Sequence, residues 1–185
     1  MSARSKARKR ALDILFEAEI RGEPVLGMLD ERAAQASPPV SAYASELVRG
    51  VQAHRESIDE MLAANATGWT LQRMPAVDRN ILRIGAYELL WSTGVPEGVV
   101  ISEAVLLARD LSTDASPAFI NGLLARLLEL RPTLAAAVGP EAAPEREPAA
   151  VPGSAAVPEP GEEAAAPVAG AASQQADPPA DQPAR

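Results

Sequence analysis

From Ser5 to Leu128 the apolar residues recur at spacings of three and four, and no stretch alternates with period two over a useful length. That periodicity limits the chain to packed helices, because each such stripe must be buried against another. The first helix reads as Ser5 to Arg21, with Ala11, Leu12, Leu15, Ala18 and Glu19 on one stripe, and Gly22-Glu23-Pro24 ends it. A shorter pattern with Val25, Leu26, Met28 and Leu29 runs to about Ala36, before Ser37-Pro38-Pro39. The longest helix is expected from Ser41 to about Asn65, with Ala44, Leu47, Val48, Val51, His54, Ile58, Met61 and Leu62 on its apolar face.

A connecting segment at 66–74, with a short turn of helix at Leu71 to Met74, precedes a helix from Pro75 to Ser92 whose face carries Val77, Ile81, Ile84, Glu88 and Trp91. Another helix carries Ile101, Ala104, Val105, Ala108 and Leu111, and the last starts at Ser116-Pro117 and stops before Pro132. Proline at the first helical position loses only an amide that would be unpaired anyway. The expectation is an all-α fold over residues 1–138, two packed helical bundles meeting near the 66–74 seam, with subdomains of about 1–66 and 67–138.

Composition changes abruptly at Gly139. The 47 residues from there to Arg185 hold 10 of the 17 prolines, 15 alanines, 8 acids and 2 arginines, and no aromatic residue. Such a segment lacks the large apolar side chains that offset ordering entropy, so 139–185 reads as a disordered Ala/Pro/Glu-rich tail. The net charge of −8 is then mostly the tail's, which carries −6 against −2 for the first 138 residues. Five bases and no acid fall in the first ten residues: Arg4, Lys6, Arg8, Lys9 and Arg10.

Zero cysteines and a single histidine argue against a disulfide framework, a thiolate metal centre and a cysteine nucleophile. No glycine-rich phosphate loop, HExxH or GxSxG pattern is present, so an enzyme and a cofactor are not expected. No apolar run approaches the ~18 residues of a membrane span, and the basic start leads into an amphipathic pattern rather than a signal-peptide core. A cytoplasmic protein without a membrane partner is the expectation. His54, between Val51 and Ile58, reads as a packed, internally hydrogen-bonded residue.

The basic start sits where the helix dipole disfavours cations, so polyanion binding explains it better than helix stability does. On a helical projection Arg4 and Arg8 extend the core stripe, while Lys6 and Arg10 face the other way. Glu88 lies on an apolar stripe and needs a tertiary partner, either an arginine of a neighbouring helix or the free amides of the helix start near Val100. Phe119 and Ile120 are adjacent and cannot both point inward, so one flanks the core. An aromatic exposed at a helix start offers a base a stacking surface; packed inward, Phe119 would be ordinary core and Gly122 would allow close helix contact.

Taken together, Ala11-Leu12-Asp13-Ile14-Leu15-Phe16, Gly50-Val51, Val77 to Leu89, Val100-Ile101-Ser102-Glu103-Ala104-Val105 and Phe119-Ile120-Asn121-Gly122-Leu123-Leu124 resemble the NusB family of transcription antitermination factors. The resemblance covers Ser5 to about Leu130. It implies a non-enzymatic factor that binds the boxA element of ribosomal RNA leaders together with NusE, a small-subunit ribosomal protein, and joins the RNA polymerase antitermination complex. By the same resemblance the RNA surface would use Arg4, Lys6, Arg8, Lys9, Arg10 and Phe119, and the NusE surface Phe16, Asp78 and Arg79. Ala115 stands where an acidic residue is common in the family. A helix face left free in such a bundle also leaves a homodimer open. The NusB-like N-terminal domain of RNA cytosine methyltransferases is the competing family reading, weakened by the missing cysteine and methyl-donor domain. A purely structural helical module is the other alternative.

Overall fold

The structure, a computed structural model, describes residues 2–35, 37–66 and 70–138, with side chains as far as Arg131. The expected disordered tail and the middle of the 66–74 seam lie outside the described residues. Among the described residues seven α-helices follow one another: α1 (Ala3–Arg21), α2 (Val25–Gln35), α3 (Ala42–Ala53), α4 (Arg55–Asn65), α5 (Ala76–Leu90), α6 (Glu97–Leu111) and α7 (Ser116–Val138), with a 3-10 turn at Leu71–Arg73 before α5. No strand occurs among the described residues, so the all-α reading holds.

Local chemistry accounts for several of the boundaries. Ser2 caps α1 by accepting from the Ser5 amide at 3.1 Å. Gly22 ends α1 at φ 67°, a left-handed conformation that glycine adopts without a Cβ penalty, and Glu23 N–H closes on the Ala18 carbonyl at 3.0 Å. Two expected boundaries are wrong. The helix expected from Ser41 to Asn65 breaks at His54, whose φ −105° and ψ 15° leave the helical region. No proline or glycine occupies that position. The break turns α4 away from α1 and onto α5 and α7, while the His54 ring stacks on Trp91 with centroids 4.3 Å apart. At the other end α7 runs through Pro132 to Val138, although a proline inside a helix removes one donor and crowds the carbonyl of the preceding turn.

Helices α1, α2 and α3 pack on one another, as do α5, α6 and α7, and α4 joins the second set. Helix α5 belongs to both groups, touching α1, α3, α4, α6 and α7. Every residue from Asn80 to Leu89 is buried. The amphipathic stripe expected for this helix is therefore only part of its contact surface. Asn80, Arg83 and Glu88 hid the rest from the hydrophobic pattern, since each is buried through a polar partner. Close approach of α3 to α5 requires Gly50, where a Cβ would sit 2.0 Å from Cζ of Tyr87.

Candidate nucleic-acid interface

The five N-terminal bases do not share one environment. Arg8 is 2% exposed and bonds Glu88 with both prongs, Nε to Oε2 at 2.8 Å and Nη2 to Oε1 at 2.7 Å. Tyr43 Oη donates to Glu88 Oε1, and Glu103 Oε2 lies 3.5 Å from Arg8 Nη1. Burial, with the bond to Glu88 added, pushes the Tyr43 phenol well up. The expectation of an arginine partner for Glu88 is met, and the same bond corrects the expectation that Arg8 touches RNA. Its charge is spent inside the protein, where a two-pronged pair offsets the cost of desolvating both ions.

The remaining bases stand closer to solvent along the first turns of α1. Arg4 is exposed, donates to the Gly94 carbonyl at 3.2 Å and lies over the Tyr43 ring at 5.5 Å. Lys6 is exposed, and Lys9 pairs with Asp13 at 3.1 Å with both side chains more than two-fifths exposed. Arg10 is half-buried; its Nη2 donates to the Pro38 carbonyl at 3.1 Å, and its Nε has no partner among the described residues.

At the opposite end of α5, Asp78 is 4% exposed and accepts from Ser116 Oγ at 2.7 Å, which ties α5 to the start of α7. Its Oδ1 is buried and unpaired among the described residues. This carboxylate lines a pocket of about 160 Å³ with Met74, Pro75, Thr113, Ala115 and Phe119. Ile120 is fully buried and Phe119 half-buried, so Phe119 is the member of the pair that flanks the core. Gly122 does not serve helix contact, since a Cβ there would meet nothing within 4 Å.

Asp78 and Arg79 were expected on a protein-binding surface, and both are turned inward. Arg79 bonds Glu19 and the Leu71 carbonyl, and reaches the Met74 carbonyl at 3.1 Å. Glu19 also takes Asn80 Nδ2 at 2.9 Å and Arg83 Nη1 at 2.9 Å, while Arg83 holds Asp59 at 2.7 Å. Burial alone would push the Glu19 carboxyl up; the bonds from Arg79 and Asn80 and the charge of Arg83 bring it below the ordinary range. This network was not foreseen, although Glu19 lay on the predicted core stripe and the argument used for Glu88 applied to it equally. Phe16 remains available: it is half-buried on the outer side of α1, one turn before Ile20, which is 65% exposed.

His54 is packed by stacking on Trp91 and Tyr87, and its ring, contrary to the expected internal hydrogen bond, has no hydrogen-bond partner among the described residues. Burial lowers its pKa. No group of three or more His, Cys, Asp or Glu residues suited to a metal occurs among the described residues, and no described helix is long and apolar enough to cross a membrane. Glu88 and Asp78 stand ten residues apart on α5, about 15 Å at 1.5 Å per residue, so Arg8 and Phe119 mark two ends of one helix.

The NusB family's sequence profile matches residues 5–129. Transcription antitermination protein NusB of Thermobifida fusca is 56% identical over 132 residues, covering 71% of this chain and 93% of that protein. Thermotoga maritima NusB ("T. maritima NusB") superposes with a TM-score of 0.62 at 30% identity, over 70% of this chain and 92% of its own. A chain from the crystal structure of antitermination factors NusB and NusE in complex with dsRNA gives a TM-score of 0.61 at 26% identity, covering 68% and 96% respectively.

Proposed function

The chain belongs to the NusB family, and on that premise we propose that it is a transcription antitermination factor. It binds boxA-type single-stranded RNA of ribosomal RNA leaders together with NusE, and joins the RNA polymerase antitermination complex in the cytoplasm. The observation that carries this reading is the separation of roles among the N-terminal bases. Arg8 is consumed in building the helix start, which leaves Arg4 and Lys6 exposed, with Lys9 and Arg10 half-buried.

These cations supply sequence-independent affinity. Three or four phosphate contacts give a log–log salt slope of about −2 to −3 on a single strand. Phe119, half-buried at the start of α7, supplies a stacking surface for a base, a contribution of about 1–3 kcal/mol. Phe16 and Ile20, on the outer side of α1, offer NusE an apolar contact away from both. Two modest RNA surfaces, joined by a partner protein's own, gain affinity through effective concentration rather than through any one strong contact.

The test is a titration of labelled boxA-like RNA against a scrambled strand of equal length, with and without NusE. Preference for boxA that sharpens with NusE is expected. Equal, weak binding to both strands in the presence of NusE rejects the reading in favour of a structural module.

A further inference from the structure

Phe119 forms a wall of two hollows, the small pocket at Asp78 and, on its other side, an open cleft between α4 and α7 that the function above does not use. We propose that RNA engaged at Phe119 continues into this cleft and that Arg126 takes one of its phosphates. The inference rests on the RNA reading and adds to it a path and a residue.

Phe119, Gly122 and Arg126 follow at positions i, i+3 and i+7 on α7, so they share one face of the helix. The floor between them is low. Ala118 and Gly122 are exposed, and the space above Gly122 is open. Asn65 on α4 forms the facing wall; its Nδ2 is held by the Met61 carbonyl at 2.8 Å, which leaves the amide oxygen as the group able to accept from a base. The cleft measures about 580 Å³, ample for a nucleotide.

Arg126 differs from the arginines used in the core. Its side chain is 56% exposed, and its ion pair with Glu129, 3.1 Å away, leaves the acid 68% exposed. A pair this wet contributes little to stability, so the guanidinium can exchange Glu129 for a phosphate at small cost. Arg8, Arg79 and Arg83 cannot do so, since each is bound to a buried or half-buried carboxylate. Charge and continuity with Phe119 therefore both favour a nucleic-acid strand as the occupant.

The experiment measures fluorescence anisotropy of labelled boxA RNA with the full chain and NusE across a salt series, for wild type, Arg126→Glu, Arg126→Lys and Arg109→Glu. Arg109 is a control of similar exposure on α6, paired among the described residues with its neighbour Asp110. Arg126→Glu is expected to weaken binding about tenfold at low salt and to make the salt slope shallower by about 0.7, the loss of one phosphate contact. Arg126→Lys keeps the slope, and Arg109→Glu stays close to wild type. An Arg126→Glu affinity within twofold of Arg109→Glu overturns the proposal, and so does a loss of NusE binding measured without RNA, which would assign the cleft to the protein. Wild type that fails to prefer boxA over the scrambled strand counts instead against the parent reading, so the two failures are distinguishable.

Discussion

Helix α5 carries a buried carboxylate near each end, and the two are treated differently. Glu88 has both oxygens filled by Arg8 and a third bond from Tyr43, and the space around it is closed. Asp78 is nearly as buried but has one oxygen bonded to Ser116 and the other unpaired among the described residues, in the wall of a pocket beside a half-buried aromatic ring. An unpaired buried acceptor costs about 1–3 kcal/mol, so a fold that keeps one does so against its own stability. Burial alone does not separate the two ends. Completeness of hydrogen bonding does: the saturated end builds the helix packing, and the unsaturated end lies in the wall of a pocket.

The largest expected effect breaks the saturated end. Arg8→Ala leaves Glu88 buried without a counter-charge and should cost about 3–5 kcal/mol in urea unfolding, with most of it recovered in the double variant Arg8→Met, Glu88→Leu. RNA affinity of the folded double variant should stay within twofold of wild type. Normal stability with lost RNA affinity would reverse the assignment and return Arg8 to the RNA surface.

Next in size is the open end. Phe119→Ala should weaken boxA binding by about 1–3 kcal/mol, read by anisotropy, while Phe119→Tyr, which keeps a stacking face, retains most of it. If both variants bind like wild type, the ring is only packing and the comparison between the ends loses its functional half.

Acid titration separates the ends without changing RNA at all. His54, stacked near the Glu88 end, has a pKa lowered by burial from 6.5, so the unfolded chain binds the proton first. Stability is complete above 6.5 and falls as pH drops through the window below it. Glu19, bonded to Arg79 and Asn80 near the Asp78 end, is lowered from 4.5, so its contribution is present above 4.5 and lost at lower pH. Thermal melts across pH should show two steps on the acid side. His54→Gln is expected to remove the upper step alone and Glu19→Gln the lower; a single step that survives His54→Gln unchanged would mean the ring stack is solvated.

Much of this contrast could be read from spacing, and the remainder depended on contacts between distant residues. The rule that a carboxylate on an apolar stripe needs a partner located Glu88 correctly, but the projection that puts Arg8 on the core stripe of α1 does not by itself name Arg8 as that partner. Joining them required knowing that α1 lies beside the C-terminal half of α5, a contact across 80 residues. The break at His54 has no local signal because the force that stabilises it is a ring stack with Trp91. Asp78 and Arg79 looked like surface residues because a short polar pair at a helix start usually is one; here α7 and Glu19 cover them.

Lys9 gives the smallest effect and the cleanest discrimination. Its pair with Asp13 is exposed, runs in the less favourable order for a helix with the cation N-terminal to the acid, and costs the rotamer entropy of two side chains. These terms nearly cancel, so Lys9→Ala should change unfolding free energy by no more than about 0.5 kcal/mol. If Lys9 meets a phosphate, the same substitution makes the RNA salt slope shallower by about 0.7. Stability and slope thus respond oppositely at Lys9 and Arg8, two neighbours in sequence about 100° apart around one helix. An unchanged slope would confine the phosphate contacts to Arg4, Lys6 and Arg10 and move the RNA path off the outer face of α1.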